Sequence, residues 1–296
     1  MAPDSWAAVV VNYNAGDALS ACVESVLAEQ PAELVVVDNQ SSDGSVEDLG
    51  RSFPEVTVVE AGTNLGYARA ANLGIAATRA PVVAVLNPDT VLCPRSAAAI
   101  MSRFEAESDL AALGPRLLNP DGTVYPSART VPSVSDAVGH GLLYFVWAGN
   151  PFTRRYRQMD ADAGRGRDVD WVSGAAVWLR RSALDQVGGW DERYFMYVED
   201  VDLCWRLRSA GWRVAYEPAA AVEHLLGVST AGVPYRMIAA HHRSLYRFAT
   251  RRFTGPRRVL LPAAAGFLGG RAALAMVHHK SSALRPRRTP PQVVSR

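Results

Sequence analysis

Polar side chains follow each of the first four apolar runs of the sequence. These clusters are Asn12-Tyr13-Asn14, Asp38-Asn39, Asn64-Leu65-Gly66 and Asn87-Pro88-Asp89. Each one alone fits a helix cap or a turn, because Asn and Asp favour both. Together they predict one polar crevice, since ligands of parallel α/β sheets bind outside the carboxyl ends of the strands. A later cluster, Glu199-Asp200, opens a helical stretch and offers carboxylates suited to acid–base chemistry.

The segments between these clusters predict alternating strands and helices. The predicted strands are Ala7–Asn12, Leu34–Val37, Val56–Val59 and Val82–Leu86, and the predicted helices are Asp17–Ala28, a short one after Ser45, and Gly66–Thr78. Because these strands are continuously apolar, they predict a mainly parallel sheet that is covered on both faces. We therefore expect an α/β protein.

The second half of the sequence is less regular. Turn signals and arginines predict long loops over residues 120–168. Beyond them the pattern predicts a strand over Val169–Leu179, helices over Arg181–Val187 and Glu199–Gly211, and short extended pieces at Arg213–Tyr216 and Ala220–Glu223.

The composition excludes several classes of protein. Apolar residues make up 49% of the 296 residues and charged ones 20%, which is typical of a globular chain. The three cysteines are far apart in the sequence, which argues against a disulfide framework and fits a reducing compartment. No signal peptide and no run of 18 uncharged apolar residues is visible, so we expect a chain on the cytoplasmic side without a spanning helix.

The small net charge of +2 hides a strong asymmetry along the chain. Glu223 is the last acidic residue, and 13 Lys/Arg follow it. Residues 1–223 hold the other 18 Lys/Arg and all 29 Asp/Glu, a net charge of −11. The basic charge therefore belongs to one terminal segment, which we expect to have its own partner.

Six motifs carry a resemblance to a known family. They are Val10–Asn14, Val36–Ser45, Asn64–Tyr67, Leu86–Thr90, Val172–Ala175 and Phe195–Arg206, in the order that the family has them. Over residues 6–230 the chain resembles family 2 glycosyltransferases of the GT-A (Rossmann-like) fold. Within that family it is most similar to bacterial rhamnosyltransferases, including the mycobacterial type that adds rhamnose to polyprenyl-diphospho-GlcNAc. The resemblance implies an enzyme of cell-wall or polysaccharide assembly, with dTDP-L-rhamnose as the preferred donor.

The resemblance assigns several residues to the nucleotide-diphospho sugar donor. Asp38 would accept a hydrogen bond from the pyrimidine N3–H or a ribose hydroxyl, although it also fits a turn residue that opens the Asp38–Gly44 loop. The other residues assigned to the donor site are Asn12, Tyr13, Asn14, Asn64, Gly66, Asn87 and Asp89.

A divalent cation, Mg²⁺ or Mn²⁺, is the cofactor that the resemblance implies. The family usually has Asp-x-Asp where this chain has Asn87-Pro88-Asp89, so only Asp89 is charged. One carboxylate can suffice, because hard cations also take phosphate and water oxygens as ligands. Related enzymes place a metal-binding histidine where His224 stands. The alternative for His224 is a purely structural role.

Asp200 is the general base by the same resemblance. The aromatic run Tyr194–Tyr197 before it predicts a partly desolvated pocket, which raises the pKa of a carboxylate. The alternative is a helix N-terminus stabilised by the helix dipole. No second carboxylate suggests itself as a covalent nucleophile, so one displacement with inversion is expected. Glu199 and Gly174 are assigned to the acceptor, a lipid-linked sugar, although Gly174 also fits a bulge without a ligand.

The predicted domains follow from these assignments. Residues 1–230 form the catalytic domain, with a nucleotide-binding half at 1–115 and an acceptor and catalytic half at 116–230. Residues 231–296 form a basic, amphipathic helical extension whose last 15 residues or so are disordered. Its apolar stretch Val259–Gly270 contains Pro262 and is judged too short and interrupted to span a bilayer.

We expect this extension to make a peripheral contact with the cytoplasmic side of the plasma membrane. An ordinary helix packed on the catalytic domain is the alternative. Nucleic acid is not expected as a partner, because the acidic body would repel it.

Other functions stay open at this stage. The donor can instead be UDP-galactofuranose or a UDP-hexose. A non-catalytic, membrane-bound scaffold that binds nucleotide sugar remains an alternative, because Asn87 stands where the family usually has an aspartate. A dinucleotide-binding oxidoreductase is disfavoured, because Asn12-Tyr13-Asn14-Ala15-Gly16 stands where GxGxxG is required. A processive synthase is disfavoured because no Gln-x-x-Arg-Trp motif occurs.

Overall fold

The computed structural model describes residues 5–144, 146–225 and 234–283. The chain divides into two compact units, residues 1–232 and residues 233–296. Each unit is described by itself below.

The first unit consists of a large mixed sheet with helices on its faces. Its strands are β1 (Trp6–Asn12), β2 (Glu33–Asp38), β3 (Thr57–Glu60), β4 (Val82–Leu86), β5 (Thr90–Leu92), β6 (Leu110–Leu118), β7 (Val124–Tyr125), β8 (Ala128–Arg129), β9 (Arg167–Asp168), β10 (Trp171–Val172), β11 (Ala176–Arg180) and β12 (Arg213–His224). Its helices are α1 (Asp17–Ala28), α2 (Ser45–Ser52), α3 (Tyr67–Ala76), α4 (Ser96–Ala106), α5 (Val134–Leu143), α6 (Pro151–Tyr156), α7 (Arg181–Val187) and α8 (Glu199–Ser209).

The sheet has the order β3-β2-β1-β4-β11-β6-β12-β5, with β7 paired to β6 and β9 to β12. Strands β3, β2, β1 and β4 are mutually parallel, as are β6 and β12. Strand β11 runs antiparallel between β4 and β6 and joins the two parallel groups. The central strands are buried on both faces, because their apolar runs are covered by helices on each side. The predicted α/β fold with a mostly parallel sheet is confirmed.

The prediction of long loops over residues 120–168 is wrong, because this region contains the helices α5 and α6. Local capping explains both helices. The Ser133 hydroxyl accepts a hydrogen bond from the Asp136 N–H at the start of α5, and the Asn150 side chain accepts one from the Thr153 N–H at the start of α6. Pro151 stands in the first turn of α6, where no backbone N–H is needed.

The predicted strand over Val169–Leu179 is also wrong as a single element. It breaks at Ser173–Ala175, because β10 pairs with β8 in a separate two-stranded sheet while β11 pairs with β4 and β6. The two short pieces predicted after Arg213 are one strand, β12, with an irregularity between Glu217 and Ala221.

The second unit contains α9 (Pro234–Arg252), a short 3₁₀ helix (Gly255–Leu260) and α10 (Leu261–Ala283). The helices run antiparallel to each other. The Tyr235 and His279 rings are 5.5 Å apart, and a nitrogen of Arg271 lies 2.9 Å from Nε2 of His242. The predicted disorder of the last residues falls on 284–296, which lie outside the described residues.

The judgement that the terminal apolar segment is too short and interrupted to span a bilayer is wrong. By length and composition the helical stretch Gly255–Lys280 is able to cross a membrane, with a mean hydropathy of 1.5 and none of its apolar window buried. Pro262 does not interrupt α10, because it stands in the first turn, where a proline removes no helical hydrogen bond.

Gly74 in α3 allows this helix to approach the sheet. A Cβ atom at this position would lie 2.3 Å from Val9 Cγ1 and 2.8 Å from Val37 Cγ2, whereas one at Gly50 in α2 would meet nothing within 4 Å. We expect Gly74→Ala to lower the free energy of unfolding by about 1–3 kcal/mol through overpacking. Gly50→Ala should raise it by about 0.4–1 kcal/mol. Urea unfolding of both variants tests the pair, and equal effects would contradict the close packing of α3.

Candidate active site

Hydrogen bonds hold the loop after β2 against the end of β1. Asn12 is fully buried, and its side-chain nitrogen donates to the hydroxyls of Ser41 (3.0 Å) and Ser45 (3.1 Å) and to Oδ1 of Asp38 (3.3 Å). The Asn14 N–H donates to the Ser41 hydroxyl at 3.0 Å. Because the Asn12 side chain is fully buried, we assign it to holding this loop against β1 and not to direct contact with a ligand.

Asp38 lies half-buried at the carboxyl end of β2. Its carboxylate accepts the Ser41 N–H, at 3.1 Å to Oδ2 and 3.3 Å to Oδ1. Asn14 adopts a positive φ of 50°, and its side-chain oxygen accepts the Ser42 N–H at 2.8 Å. Tyr13 is half-buried beside them. The structure thus brings Asp38, Tyr13 and Asn14 to one edge of the sheet.

The Asn64-Leu65-Gly66 cluster joins this edge to the segment that precedes α8. The Asn39 side chain accepts the Leu65 N–H at 2.7 Å and donates to Asn64 Oδ1 at 3.2 Å. Gly66 has a φ of 80°, and a Cβ there would lie 2.3 Å from the carbonyl oxygen of Phe195. Only glycine fits this position, so Gly66 first serves the close approach of two backbone segments.

Asp89 and His224 meet where β4 ends and β12 ends. His224 Nε2 lies 3.3 Å from Asp89 Oδ1 and 3.5 Å from Nδ2 of Asn87. Both side chains are buried, and His224 Nδ1 has no hydrogen-bond partner. The Leu225 N–H donates to the Asp89 carbonyl, which fixes the two strand ends together.

These residues fit a divalent cation whose other ligands come from substrate. No group of three or more His, Cys, Asp or Glu side chains able to hold a metal is found within 5–144, 146–225 and 234–283. Asp89 supplies one carboxylate and His224 one imidazole nitrogen, and their atoms converge within 3.3 Å. Phosphate and water oxygens would complete such a site.

Glu199 and Asp200 are the first two residues of α8, and the backbone directly before them is strained. Tyr197 and Val198, just before them, both have positive φ, of 67° and 69°, a conformation that non-glycine residues rarely adopt. Asp200 accepts the Gly174 N–H at 3.0 Å (Oδ2) and the Val201 N–H at 2.8 Å (Oδ1). Glu199 is only 8% exposed, and its Oε2 atom has no hydrogen-bond partner.

Burial dominates the electrostatics of this carboxylate pair. Desolvation, and then the charge of Asp200, raise the pKa of Glu199 to about 8. Desolvation also raises the pKa of Asp200, while the N–H groups of Gly174 and Val201 and the charge of Arg129 oppose that rise. Both carboxyls therefore hold a proton more readily than exposed carboxyls do, because burial and their mutual repulsion disfavour the doubly ionised pair.

Tyr67 links the carboxylate pair to the Asp89 cluster. It is buried, and its hydroxyl donates to the Gly174 carbonyl at 2.5 Å. Desolvation, followed by the charges of Glu199, Asp200 and Asp89, raises its pKa well above the ordinary value. All three carboxylates are thus close enough to act on one phenol. The sequence motif contained Tyr67, but our sequence analysis gave it no role.

Asp202 is a structural anchor of α8. It is fully buried, accepts Arg206 Nε at 2.8 Å and lies 3.2 Å from the Tyr194 hydroxyl, which donates to it. Arg206 also donates to the Val187 carbonyl. This buried pair fixes the start of α8, which holds Asp200 in place.

Arg129 is a site residue that the sequence analysis missed. Its guanidinium lies over the rings of Tyr125, Tyr156 and Trp171, with centroid distances of 5.4, 5.7 and 4.9 Å, and it acts electrostatically on Asp200. Its partners are spread over more than 70 positions of sequence, so no local pattern identifies it.

A family model and a curated relative both match this chain to glycosyltransferases. The model of the family described as "Glycosyltransferase like family 2" matches residues 3–243. The N-acetylglucosaminyl-diphospho-decaprenol L-rhamnosyltransferase of Mycobacterium tuberculosis is 40% identical over 260 residues, which cover 83% of this chain and 84% of that protein.

Two solved structures resemble the fold at low sequence identity. GalNAc-T7 with UDP, GalNAc and Mn²⁺ has a TM-score of 0.59 at 13% identity, over 95% of this chain and 58% of that one. A mannosyltransferase of Pyrobaculum calidifontis in complex with GDP-Man and Mn²⁺ has a TM-score of 0.55 at 16% identity, over 95% and 81%. The family match and the mycobacterial relative show that this chain belongs to the glycosyltransferase-like family 2, and its architecture is the GT-A fold.

Proposed function

We propose that this glycosyltransferase moves L-rhamnose from dTDP-L-rhamnose to a lipid-diphosphate-linked sugar of the polyprenyl-diphospho-GlcNAc type, with inversion at the anomeric carbon. One observation carries the choice of substrates: the 40% identity, over 83% of the chain, to a rhamnosyltransferase whose name specifies a GlcNAc-diphospho-decaprenol acceptor. The Asp89–His224 pair and the buried Glu199–Asp200 pair support the same reaction.

The donor would lie along the ends of β1, β2 and β4. Asp38 is half-buried and faces no cation within ion-pair distance among the described residues, so its carboxylate remains able to accept a base N–H or a ribose hydroxyl. Tyr13 and Asn14 would flank the nucleoside. The diphosphate would reach the Asn87 and Asp89 cluster.

Asp89 and His224 would hold a Mg²⁺ or Mn²⁺ ion together with the donor diphosphate. Such an ion supplies positive charge that stabilises a leaving diphosphate. The Asn87 side chain lies beside His224 and orients the imidazole without adding a charge.

Asp200 would act at the acceptor hydroxyl. It takes the hydroxyl proton while the oxygen forms a bond to the anomeric carbon, and the bond from that carbon to the donor phosphate oxygen breaks. The electron pair leaves on the nucleoside diphosphate, and the proton ends on Asp200. The raised pKa of Asp200 makes it a stronger base than an exposed aspartate. Glu199 and the Gly174 backbone would border the acceptor sugar.

The membrane is the proposed location of the acceptor, and the second unit is the proposed attachment. Helix α9 carries basic residues along its length, and α10 lies beside it through the Arg271–His242 contact. A helix paired with a charged neighbour and carrying Arg271 at its centre suits the interface better than the bilayer core, where an arginine costs about 2.5–3.5 kcal/mol. We therefore propose peripheral attachment at the cytoplasmic face.

Helix α5 in the catalytic unit supports membrane contact independently. Val134, Val138 and Leu142 follow one another at four-residue spacing in α5 and are exposed, as are Val146 and Trp147 just after the helix. Exposed apolar rows of this kind mark interaction sites, and tryptophan is enriched at membrane interfaces.

The donor is tested by thermal shift. With Mg²⁺ or Mn²⁺ present, dTDP-L-rhamnose should raise the melting temperature more than the same concentration of UDP-galactofuranose or a UDP-hexose, because at equal concentration the ligand with the lower Kd stabilises the folded state more. In Asp89→Ala the metal-dependent part of the shift should disappear. A response to UDP sugars alone would select the alternative donors. Donor binding without any transfer to the lipid-linked acceptor would favour the non-catalytic scaffold.

The base is tested by Asp200→Asn, which keeps the size of the side chain and removes its basicity. We expect turnover to fall at least about a hundredfold, the usual contribution of a general base, with donor affinity nearly unchanged. Glu47→Gln on the exposed face of α2 is the matched control and should keep normal turnover. An Asp200→Asn enzyme with near-normal turnover would remove Asp200 from this role.

The membrane attachment is tested by removing residues 255–296. Full-length protein should float with anionic liposomes at low salt, and part of it should be released at high salt, because charge attraction is screened within about 8–10 Å at physiological ionic strength. The shortened protein keeps α5 and α9, so it should float much less than the full-length protein and still bind donor. Neutral liposomes are the lipid control, and carbonate extraction should release the full-length protein. Resistance to carbonate would indicate a spanning α10.

A further inference from the structure

We propose that Arg129 binds the diphosphate of the lipid-linked acceptor; this inference rests on the proposed function. Arg129 is half-buried in β8. Its Nε donates to the Pro126 carbonyl at 2.6 Å, and its Nη2 donates to the Tyr125 hydroxyl at 2.9 Å. The Tyr156 side chain is a further hydrogen-bond partner, and the remaining neighbours are aromatic rings.

The Arg129 guanidinium has no carboxylate counter-ion in the described part of the chain. Within residues 5–144, 146–225 and 234–283, no carboxylate lies within 4.0 Å of the Arg129 guanidinium. Arg155 shows the contrast: it lies over the Phe152 ring at 5.1 Å and is paired with Asp136 at 2.6 Å. Aromatic faces stabilise a cation but do not neutralise it. A half-buried guanidinium without a carboxylate partner is suited to binding an anionic group of a ligand.

The guanidinium of Arg129 is chemically suited to a diphosphate. A guanidinium presents two parallel N–H donors that match phosphate oxygens, and its plane can rest on aromatic rings at the same time. The rings of Tyr125, Tyr156 and Trp171 hold the Arg129 plane in place. The same rings are apolar surfaces beside which the first isoprene units of a lipid diphosphate would lie.

Arg129 lies on the strand next to the backbone that holds Asp200. Strand β8 pairs with β10, with Arg129 opposite Trp171, and the Ser173 N–H donates to the Ser127 carbonyl at 2.9 Å. Gly174, the next residue, donates to Asp200. Arg129 therefore stands on the strand that lies beside the proposed acceptor-binding backbone, close enough for its charge to act on the base.

The donor diphosphate has other residues to hold it. Asp89 and His224 form a pair of their own near Tyr125, whose ring meets His224 edge-on at 6.5 Å and has the Arg129 guanidinium carbon 5.4 Å from its centroid. A cation at Arg129 in addition to the Asp89–His224 pair suits a reaction in which both substrates carry a diphosphate. An acceptor without a diphosphate would leave the Arg129 site empty.

The experiment compares two acceptors and two variants. The acceptors are a short-chain isoprenyl-diphospho-GlcNAc and an alkyl GlcNAc glycoside that lacks the diphosphate. For Arg129→Gln we expect the KM of the diphosphate acceptor to rise about tenfold to a hundredfold, the scale of one lost charge-assisted contact. The rate with the alkyl glycoside, relative to wild type, and the affinity for dTDP should change far less. Arg155→Gln, the matched arginine with a carboxylate partner, should change neither.

The comparison between acceptors is needed because the charge of Arg129 also acts on Asp200. Arg129→Lys keeps that charge and loses the planar fork, so it should show the KM effect while its rate with the alkyl glycoside stays near wild type. An equal loss with both acceptors would show that Arg129 acts through the fold or the base and would overturn the proposal. A weaker affinity for dTDP with an unchanged acceptor KM would assign Arg129 to the donor, which also overturns it.

Direct binding separates this proposal from the proposed function. A short-chain isoprenyl diphosphate is titrated into full-length protein in the presence of dTDP, without turnover. Binding that weakens in Arg129→Gln, in a protein that transfers no rhamnose, would overturn the proposed function and support the Arg129 site. Rhamnose transfer by wild type, with equal binding by wild type and Arg129→Gln, would support the function and overturn the site. No binding to wild type would overturn the site as well.

Discussion

The tripeptide Ser173–Ala175 crosses from the small sheet to the large one, and the functional groups depend on its backbone. The Gly174 N–H holds Asp200, and the Gly174 carbonyl accepts the Tyr67 hydroxyl. The Ala175 carbonyl accepts the N–H of Asn87, and the Ser173 N–H reaches β8. A Cβ at Gly174 would come within 3.3 Å of Asp200 Cβ, so the approach of α8 to this crossing requires a small residue. One short stretch of backbone thus fixes Asp200, the strand end that carries Asn87 and the strand of Arg129.

Charge is distributed so that the negative groups lie where the reaction would occur. Glu199, Asp200 and Asp89 are gathered around the buried Tyr67, in a segment with a net charge of −11 over residues 1–223. Both proposed substrates are anionic, so binding them requires local positive charge against this background. Arg129 supplies one fixed cation, and the Asp89–His224 pair suits a bound metal ion. The basic residues after Glu223 belong to the other unit and suit an anionic membrane.

Asp200, the proposed base, follows a strained stretch of backbone that the surrounding structure holds in place. Tyr197 and Val198 both adopt the left-handed conformation directly before Glu199, which costs of order 1–3 kcal/mol per residue. The Tyr67 N–H donates to the Phe195 carbonyl at 2.8 Å across Gly66, and the buried Asp202–Arg206 pair anchors the other side of the turn. These contacts fix the position of Asp200, so that both of its oxygens are engaged by backbone N–H groups.

Elements with local signals could be predicted from the amino-acid sequence alone. The bounds of α1, β4 and α7 follow from apolar periodicity, and the motifs after the strands identified the family. The capping residues Ser133 and Asn150 were also visible in the sequence, but the density of turn residues around them concealed α5 and α6. Tertiary structure alone decided which distant residues meet. The break of the predicted strand at Ser173 depends on two different pairing partners, and the burial of Asn12 depends on a loop some 30 residues away. The cage of Arg129 is assembled from three separate segments, because a side chain's environment is set by packing between elements that sequence spacing does not encode.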